Sequence, residues 1–389
     1  MHDVLVIGGG PVGSYVAYKL AGMGHDVVVL EKKETPGGRV CCTGIISQAC
    51  VSSFAIDDDV VLRRANSARI FSPSGKSIRL WRQENQACIV DRAAFNVAMA
   101  SRAKGAGAEY MPNSPVRDIE VRDDRVIVEV AQHRERLNLE ARAAVIATGF
   151  DSRLAEGLGL GWVGDFVIGA QAEVETRDID EVEVYFGQEI APGFFAWLVP
   201  TSPPRALVGL LSRRNPGFYL RKLTSSLKAQ GKVASDEDGL GYRGIPLKPL
   251  ARTYGKRLLV VGDAAGQVKP TTGGGIYYGL LCADIAAHNL QQALKRDDLS
   301  AKSLANYERE WNRKLGQELK IGYWARKFYE HLSDRQVDRI FDIIRANGID
   351  EALLKANDLF FDWHGKAILR VARQKALLKA LAMMKIPFR

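Results

Sequence analysis

The sequence has few cysteines and lacks long apolar runs, and each absence excludes a class of protein. Its 389 residues include 5 cysteines, at positions 41, 42, 50, 88 and 282, without the paired spacing of a metal centre, an iron–sulfur module or a disulfide framework. Because no stretch approaches 18 consecutive apolar residues, no segment is predicted to span a membrane. The first predicted strand begins at Asp3, which leaves no room for a signal peptide and favours the cytoplasm.

Composition is that of an ordinary globular protein, with 47% hydrophobic and 25% charged residues. The length exceeds that of a usual single core, so two or three substructures are expected. A net charge of +9 favours anionic partners on encounter but is more typical of a well-solvated surface. We expect a monomer that binds neither nucleic acid nor metal.

A glycine-rich turn follows the first predicted strand. Gly8, Gly10 and Gly13 give the spacing G-x-G-x-x-G before a helical pattern. Gly8 permits a tight turn, Gly10 lets the backbone reach a pyrophosphate, and Gly13 lets helix and strand pack closely. A second strand pattern ends at Glu31, whose carboxylate can accept hydrogen bonds from ribose hydroxyls. Strand, turn, helix, strand and acid together predict a dinucleotide site.

A second glycine-rich segment lies far downstream. Asp263 ends another apolar strand pattern, and the backbone of 273–276 opens a long helical pattern. Asp263 suits ribityl hydroxyls, and the helix N-terminus suits negative charge on a reduced flavin ring. Because an NAD dehydrogenase needs no such second segment, the cofactor is predicted to be FAD.

These motifs resemble the FAD-dependent fold shared by para-hydroxybenzoate hydroxylase and the geranylgeranyl reductases, over roughly residues 1–300. Residues 90–95 (VDRAAF) look like the group's helix start, whose arginine lies near the cofactor. Residues 147–153 (ATGFDSR) stand where the hydroxylases carry an Asp-Gly motif, and Thr148 replaces the Asp. The predicted FAD-binding residues are Gly8, Gly10, Pro11, Gly13, Glu31, Lys32, Arg39, Arg92, Gly149, Asp263, Gly273, Gly274, Gly275 and Ile276.

Residues 185–200 (YFGQEIAPGFFAWLVP) predict a strand, a turn and a strand, followed by a hairpin into 206–211. The segment resembles the geranylgeranyl reductase signature, which implies one wall of an apolar tunnel before the flavin. Aromatic side chains on a sheet can equally pack an ordinary core. Cys42 resembles the cysteine of the reductases that passes near the flavin. The predicted catalytic residues are Cys42, Tyr185 and Trp197, and the predicted substrate contacts are Phe186, Phe194, Phe195 and Trp197.

We therefore expect an α/β protein, α+β overall. A Rossmann-type FAD-binding domain is interrupted by a mixed or antiparallel substrate sheet and followed by a helical C-terminal region. The expected FAD domain comprises 1–65, 91–165 and 250–298, the substrate domain 66–90 and 166–249, and the helical region 299–389. Basic residues from Lys366 onward (Lys366, Arg370, Arg373, Lys375 and Lys379) predict either contact with an anionic membrane surface or a solvated helix packed on the body.

The resemblance implies a reductase of isolated double bonds in geranylgeranyl chains. Its FAD is reduced by NAD(P)H or reduced ferredoxin, and Cys42 is the candidate proton source. One alternative is an FAD-dependent monooxygenase of the aromatic hydroxylase type; another is an electron-transfer flavoprotein that donates to a quinone.

Overall fold

The chain alternates strands and helices in a computed structural model that describes residues 1–38, 40–132, 135–356 and 360–374. The strands are β1 (His2–Ile7), β2 (Val27–Leu30), β3 (Ile45–Ser47), β4 (Val61–Ala65), β5 (Ser67–Phe71), β6 (Ser77–Trp81), β7 (Ala87–Val90), β8 (Glu109–Met111), β9 (Val116–Val121), β10 (Val126–Gln132), β11 (Glu135–Ile146), β12 (Phe166–Glu175), β13 (Val182–Phe186), β14 (Phe195–Pro200), β15 (Arg205–Ser212), β16 (Asp238–Pro246), β17 (Tyr254–Gly255) and β18 (Leu258–Val260). The helices are α1 (Pro11–Ala21), α2 (Gln48–Ser53), α3 (Arg92–Gly105), α4 (Arg153–Gly157), α5 (Pro216–Ala229), α6 (Ile276–Lys295), α7 (Ala301–Glu330), α8 (Asp334–Ala346), α9 (Ile349–Leu354) and α10 (Gly365–Ala372).

Two compact units divide the chain, and each is assembled from three separate stretches. The first unit consists of Met1–Val40, Arg92–Phe166 and Ile245–Leu319. The second unit consists of Cys41–Asp91, Val167–Gly244 and the chain from Lys320 onward. These bounds differ most from the predicted ones in two places. Residues 41–65 lie in the second unit because β3 and β4 both pair with β7 there, and the helical residues after 299 are shared between the units.

The first unit contains a sheet with the strand order β17-β18-β11-β1-β2-β8. β1 pairs in parallel with β11 and β2, β2 with β8, and β11 with β18. β9 and β10 extend β11 as an antiparallel ribbon. The four residues Val4–Ile7 are all buried, as expected for a β-branched run covered on both faces. Parallel pairing brings the carboxyl ends of these strands to one edge, where ligands of such sheets bind.

The second unit contains a mixed sheet with the order β16-β12-β15-β14-β13-β5-β6. β13 and β5 are parallel, whereas β12, β15, β14 and β13 are joined antiparallel. One face packs against α5 through a core that includes Leu198, Leu210 and Leu223. The sheet and hairpin predicted for 185–211 are confirmed, as is the α/β fold class with helices toward the C-terminus.

The basic C-terminal stretch is helical where the structure describes it. Lys366 and Arg370 lie on α10, and Arg373 caps its end. Lys375 and Lys379 lie outside the described residues. Among the described stretches, no helix combines the length and the apolar composition needed to cross a bilayer. Contact of this stretch with a membrane surface stays a prediction.

Candidate active site

The glycine turn after β1 is shaped by two backbone contacts and one open position. Gly8 has φ +108°, and a Cβ on it would lie 2.4 Å from the carbonyl oxygen of Ala147. A Cβ on Gly13 would lie 2.0 Å from the carbonyl oxygen of Gly8. In contrast, a Cβ on Gly10 would meet nothing within 4 Å among the described residues. Gly10 caps α1, and Pro11 begins it, so open space lies at a helix N-terminus, where a phosphate binds.

The acid at the end of β2 is held by the backbone. Glu31 is 8% exposed. Its Oε2 accepts a hydrogen bond from the N–H of Gly9 at 2.7 Å, and its Oε1 accepts one from the N–H of Lys33 at 2.9 Å. Since a carboxylate offers about four acceptor sites, Glu31 retains acceptor capacity for a ribose hydroxyl. The carboxylate is thus fixed beside the glycine turn.

The end of β11 leads into a second turn at the same sheet edge. Gly149 has φ +72°, which favours glycine. The hydroxyl of Thr148 donates to the carbonyl of Asp151 at 2.8 Å. Hydrogen bonds from Arg153, and the charge of Lys32, hold the pKa of Asp151 below its usual range. Lys32 is exposed, and the predicted residue Arg39 lies outside the described residues.

The downstream glycine segment packs between an acid and a lysine. A Cβ on Gly275 would lie 2.6 Å from Oδ1 of Asp263, and one on Gly274 would lie 2.9 Å from Cε of Lys269. Gly273 has φ +74°, and α6 begins at Ile276. The predicted residues of this segment therefore meet at one helix N-terminus. Lys269, only 7% exposed, was not predicted, although it is a lone cation in a glycine-rich stretch.

Arg92 begins α3 with a buried guanidinium. The residue is 8% exposed, and neither Nε nor Nη1 has a hydrogen-bond partner among the described residues. The ring of Phe95 lies 5.2 Å from the guanidinium carbon. One turn along, Asn96 donates to the carbonyl of Pro36 at 3.0 Å, while its buried Oδ1 lacks a described partner. Unpaired buried polar groups are costly, so these atoms fit a polar, anionic cofactor such as FAD.

Three of the four aromatic side chains predicted to contact substrate share one face of the second unit's sheet, and Tyr185 lies on the other face. Phe186 is paired with Phe195, and Tyr185 with Ala196. Because side chains alternate along a strand, Phe186, Phe195 and Trp197 point to the face opposite α5. Their ring centroids are 6.3 Å and 5.8 Å apart in succession. The structure therefore does not bring Tyr185 together with Trp197.

Tyr185 lies in the core of the second unit and completes a polar network. It is 7% exposed and stacks on Phe71 with centroids 4.9 Å apart. Its hydroxyl donates to the carboxylate of Glu183, and Nζ of Lys232 donates to the same hydroxyl at 3.0 Å. Burial, followed by the hydrogen bond to Glu183 and the charge of that carboxylate, raises the pKa of Tyr185 above its usual range. These contacts give Tyr185 a packing role in this unit.

Trp197 lies across Gly209 of the neighbouring strand. A Cβ on Gly209 would lie 2.4 Å from Cζ2 of the indole, so only glycine leaves room for it. The indole Nε1 is buried without a hydrogen-bond partner among the described residues, and so is Oε1 of Gln171, which pairs with Gly209 on its other side. The alternation of side chains along the strand predicted the face on which Trp197 lies. The position of Gly209 beneath its ring was not predicted from the sequence.

Phe194 precedes β14 and is 1% exposed. Its ring lies 3.6 Å from the guanidinium carbon of Arg326 on α7. Its carbonyl accepts a hydrogen bond from the hydroxyl of Tyr329 at 3.0 Å. Phe194 is therefore covered by α7 rather than open on the aromatic face. Arg326 was not predicted, because only its tertiary position distinguishes it from the other basic residues of a long helix.

The cysteines at 41 and 42 are free thiols, both partly exposed. A Cβ on Gly241 would lie 3.1 Å from Cβ of Cys41, which places Cys41 against β16. Burial raises the pKa of the Cys41 thiol to about 11. Gly44 turns the chain with φ +68° before β3, so Cys42 lies in the loop that enters this strand.

The chain is similar to a known protein family, to a curated reductase and to a solved structure. Residues 3–370 match the family model described as lycopene cyclase protein. The digeranylgeranylglycerophospholipid reductase of Methanocaldococcus jannaschii is 31% identical over 363 residues, which cover 90% of this chain and 93% of that protein. A geranylgeranyl bacteriochlorophyll reductase-like structure from Thermoplasma acidophilum superposes with TM-score 0.86 at 24% identity, covering 98% of this chain and 99% of that one.

The fold is also similar to that of a monooxygenase. The p-nitrophenol 4-monooxygenase of Pseudomonas putida superposes with TM-score 0.71 at 19% identity, covering 100% of this chain and 99% of that one. This likeness concerns the fold alone. The family-model match and the identity to the Methanocaldococcus enzyme reach further, and the chain therefore belongs to the lycopene cyclase protein family and to the digeranylgeranylglycerophospholipid reductase family, as an FAD-dependent oxidoreductase.

Proposed function

We propose that the chain reduces carbon–carbon double bonds in geranylgeranyl chains carried by a lipid. The observation that supports this most is the aromatic face made by Phe186, Phe195 and Trp197. All three rings remain partly exposed, and Phe186 also packs against Tyr329 and Phe341. Adjacent aromatic rings with little hydrogen-bonding capacity suit an apolar, chain-shaped ligand. The relatives that are named as reductases of such lipids support the same substrate class.

The residues that would hold FAD lie in the first unit. Gly10 leaves space for the pyrophosphate, Glu31 accepts from the adenosine ribose, and Arg92 offers unpaired N–H groups. Asp263 and the N-terminus of α6 at Gly275 suit the flavin end. When bound, FAD supplies the two-electron reduction that a double bond requires.

The chain's own residues must align the alkene and provide a proton. An unactivated double bond has no polar handle, so alignment by Phe195 and Trp197 does most of the work. Saturation adds one hydride equivalent to one carbon and one proton to the other. We assign that proton to the thiol of Cys42, and the resulting thiolate regains a proton from water.

The remaining features of the proposal concern the surroundings of the reaction. NAD(P)H or reduced ferredoxin serves as the external reductant. The protein acts as a cytoplasmic monomer, and the basic residues of α10, Lys366 and Arg370, contact the anionic surface of the membrane that carries the substrate.

The function is tested by anaerobic turnover of a geranylgeranyl lipid with dithionite-reduced enzyme, followed by mass spectrometry. We expect a gain of two hydrogen atoms for each reduced bond, without oxygen. A product that forms only in air and gains an oxygen atom would indicate the monooxygenase. Reduction of a soluble quinone with no change in the lipid would indicate the electron-transfer flavoprotein.

The role of Cys42 is tested with Cys42→Ala and with Cys41→Ala as the matched control. Cys42→Ala is expected to keep its FAD and lower kcat by about 10²–10⁴-fold, the usual contribution of a positioned proton donor. Cys41→Ala is expected to keep most of its activity. Full activity of FAD-loaded Cys42→Ala would remove Cys42 from the mechanism.

A further inference from the structure

Arg326 is a buried cation on the last turn of α7. The residue is 5% exposed, and its guanidinium lies flat enough on Phe194 for the guanidinium carbon to sit 3.6 Å from the ring centroid. The ring of Tyr329 lies 5.0 Å away. Burial lowers the pKa of Arg326 to about 10, which leaves it protonated at neutral pH. The protein therefore holds a positive charge between aromatic rings and away from water.

Two nitrogens of this guanidinium, Nε and Nη2, have no hydrogen-bond partner among the described residues. These two form one edge of the planar group, and it is the edge that binds carboxylates elsewhere in this chain. Arg153 uses Nε and Nη2 to hold Asp151 at 3.0 and 2.7 Å, and Arg122 uses the same pair to hold Glu120 at 2.9 and 3.2 Å. The unpaired edge of Arg326 thus has the geometry that receives two oxygens of one anion.

The neighbouring carboxylate does not fill this edge. Oε1 of Glu330 lies 3.8 Å from Nε of Arg326, beyond hydrogen-bond distance. Glu330 is instead held by Arg213, whose Nη2 donates to Oε1 at 2.9 Å and to Oε2 at 3.2 Å. Nζ of Lys327 lies 3.7 Å from the same carboxylate. Because three cations share Glu330, rotating it toward Arg326 would weaken its contacts with Arg213.

A buried cation without its hydrogen bonds is strongly destabilising, and packing on Phe194 offsets only part of that destabilisation. An arginine used solely for packing would be replaced without loss by an apolar side chain. The unpaired edge is therefore better explained by a ligand that supplies oxygen acceptors.

We propose that the Nε and Nη2 edge of Arg326 binds an oxyanion, a phosphate group attached to the isoprenoid substrate. This inference rests on the proposed function and deepens it, because it assigns the recognition of the phosphate end of that substrate to one residue. Phe194, beneath the guanidinium, is followed in the chain by Phe195 of the aromatic face. The anion at Arg326 and the apolar chain on that face would thus be recognised by consecutive parts of the second unit.

The test compares two substrates with the same chain, geranylgeranyl phosphate and geranylgeraniol, in FAD-loaded enzyme under anaerobic reduction. The wild type is expected to show a KM for the phosphate at least about tenfold below that for the alcohol. Arg326→Gln is expected to raise the KM for the phosphate by about tenfold or more, and to leave its kcat and the KM for the alcohol unchanged. Arg326→Lys keeps the positive charge but cannot form the bidentate pair of hydrogen bonds. Its KM for the phosphate is expected to lie between those of the wild type and Arg326→Gln.

Arg79→Gln is the matched control, since Arg79 is an exposed arginine of the same unit that pairs with Glu181, and it should change neither KM. Inorganic phosphate alone, as a competitor, distinguishes a free ion from a head group. Inhibition of the wild type but not of Arg326→Gln places the phosphate group itself at this edge. Absence of inhibition with the KM difference intact means that the attached chain is required.

Different results would contradict the proposed function and the phosphate site at Arg326. If the wild type reduces neither compound, the proposed function is wrong. If it reduces both and Arg326→Gln raises both KM values equally, or neither, the phosphate site is wrong while the function stands. Arg326→Gln is expected to melt no lower than the wild type without substrate, because it removes an unpaired buried charge. Should that variant fail to fold, the same comparison with Arg326→Lys decides the question.

Discussion

Two glycines of the N-terminal turn are expected to fail in opposite ways when replaced by alanine. In Gly13→Ala, the new Cβ would start 2.0 Å from the carbonyl oxygen of Gly8, whereas real Cβ contacts stay at or above 3.0 Å. The contact must therefore open by at least 1.0 Å, the difference between those values. Because the oxygen belongs to the backbone, α1 must move away from β1. The expected cost is that of overpacking a core, about 1–3 kcal/mol of unfolding free energy.

Gly10→Ala adds its methyl group to open space. Gly10 has φ −69° and ψ 177°, which alanine adopts without strain. The fold should therefore be unaffected, and the methyl group should instead occupy space needed by the pyrophosphate. We expect FAD affinity to fall by at least about tenfold, equivalent to about 1.4 kcal/mol.

Thermal unfolding at increasing FAD concentration separates the two effects. A ligand that binds the folded state stabilises it by an amount that grows with the logarithm of the ligand concentration divided by its dissociation constant, and the melting temperature rises accordingly. Gly10→Ala should match the wild type without added FAD and rise less as FAD is added, whereas Gly13→Ala should start lower. Wild-type FAD affinity in Gly10→Ala would refute the placement of the pyrophosphate. Wild-type stability in Gly13→Ala would refute the close contact of helix and strand.

Two further substitutions and one labelling experiment test other parts of the molecule. Gly209→Ala should displace the indole of Trp197, whose Cζ2 would lie 2.4 Å from the new Cβ, costing about 1–3 kcal/mol and shifting the tryptophan fluorescence. Lys232→Met leaves a buried carboxylate without its cation and should lower the unfolding free energy by about 3 kcal/mol in denaturant titration. The thiol of Cys41, whose pKa is raised to about 11, should react slowly with iodoacetamide at pH 9 and faster as the pH approaches 11, because the thiolate is the reacting form.

Each of these tests has its own control. Trp197→Phe in the Gly209→Ala background should recover part of the lost stability, since it removes part of the ring that clashes. Lys222→Met breaks an exposed pair with Glu189 and should leave the denaturation midpoint unchanged. Peptide mapping in a Cys42→Ser background follows the labelling of Cys41 alone, and rapid labelling at pH 8 would contradict the raised pKa of its thiol.

The N-terminal turn and the aromatic hairpin could be predicted because local rules determine both. Gly8 and Gly13 follow from the spacing of the turn, and their contacts involve only β1, α1 and the end of β11. The strands at 182–186 and 195–200 follow from alternating side chains and a Pro-Gly turn. Alternation also determines which aromatic residues share a face. Adjacent residues point to opposite sides of a sheet, so Tyr185 and Phe186 could have been assigned to different faces from the sequence.

Other features depend on contacts between distant stretches. Residues 41–65 belong to the second unit because β3 and β4 pair with β7. Their own composition does not indicate to which unit they belong. Arg326 resembles the other basic residues of α7 until the fold places Phe194 against it. Burial of a charged group is a property of the assembled unit, so the sequence pattern of one helix cannot reveal it.

The discontinuous first unit affects how the chain folds during its synthesis on the ribosome. The central strand β1 pairs with β11, which pairs with β18. The sheet that contains residues 2–7 is therefore complete only after residues 258–260 have been synthesised. At about 5–20 residues per second, a ribosome needs roughly 13–50 s to reach that point. Meanwhile the apolar strands β1 and β2 have no complete sheet to join and are prone to aggregate. The nascent chain should therefore depend on chaperones, and fragments that end before β18 should be insoluble rather than compact.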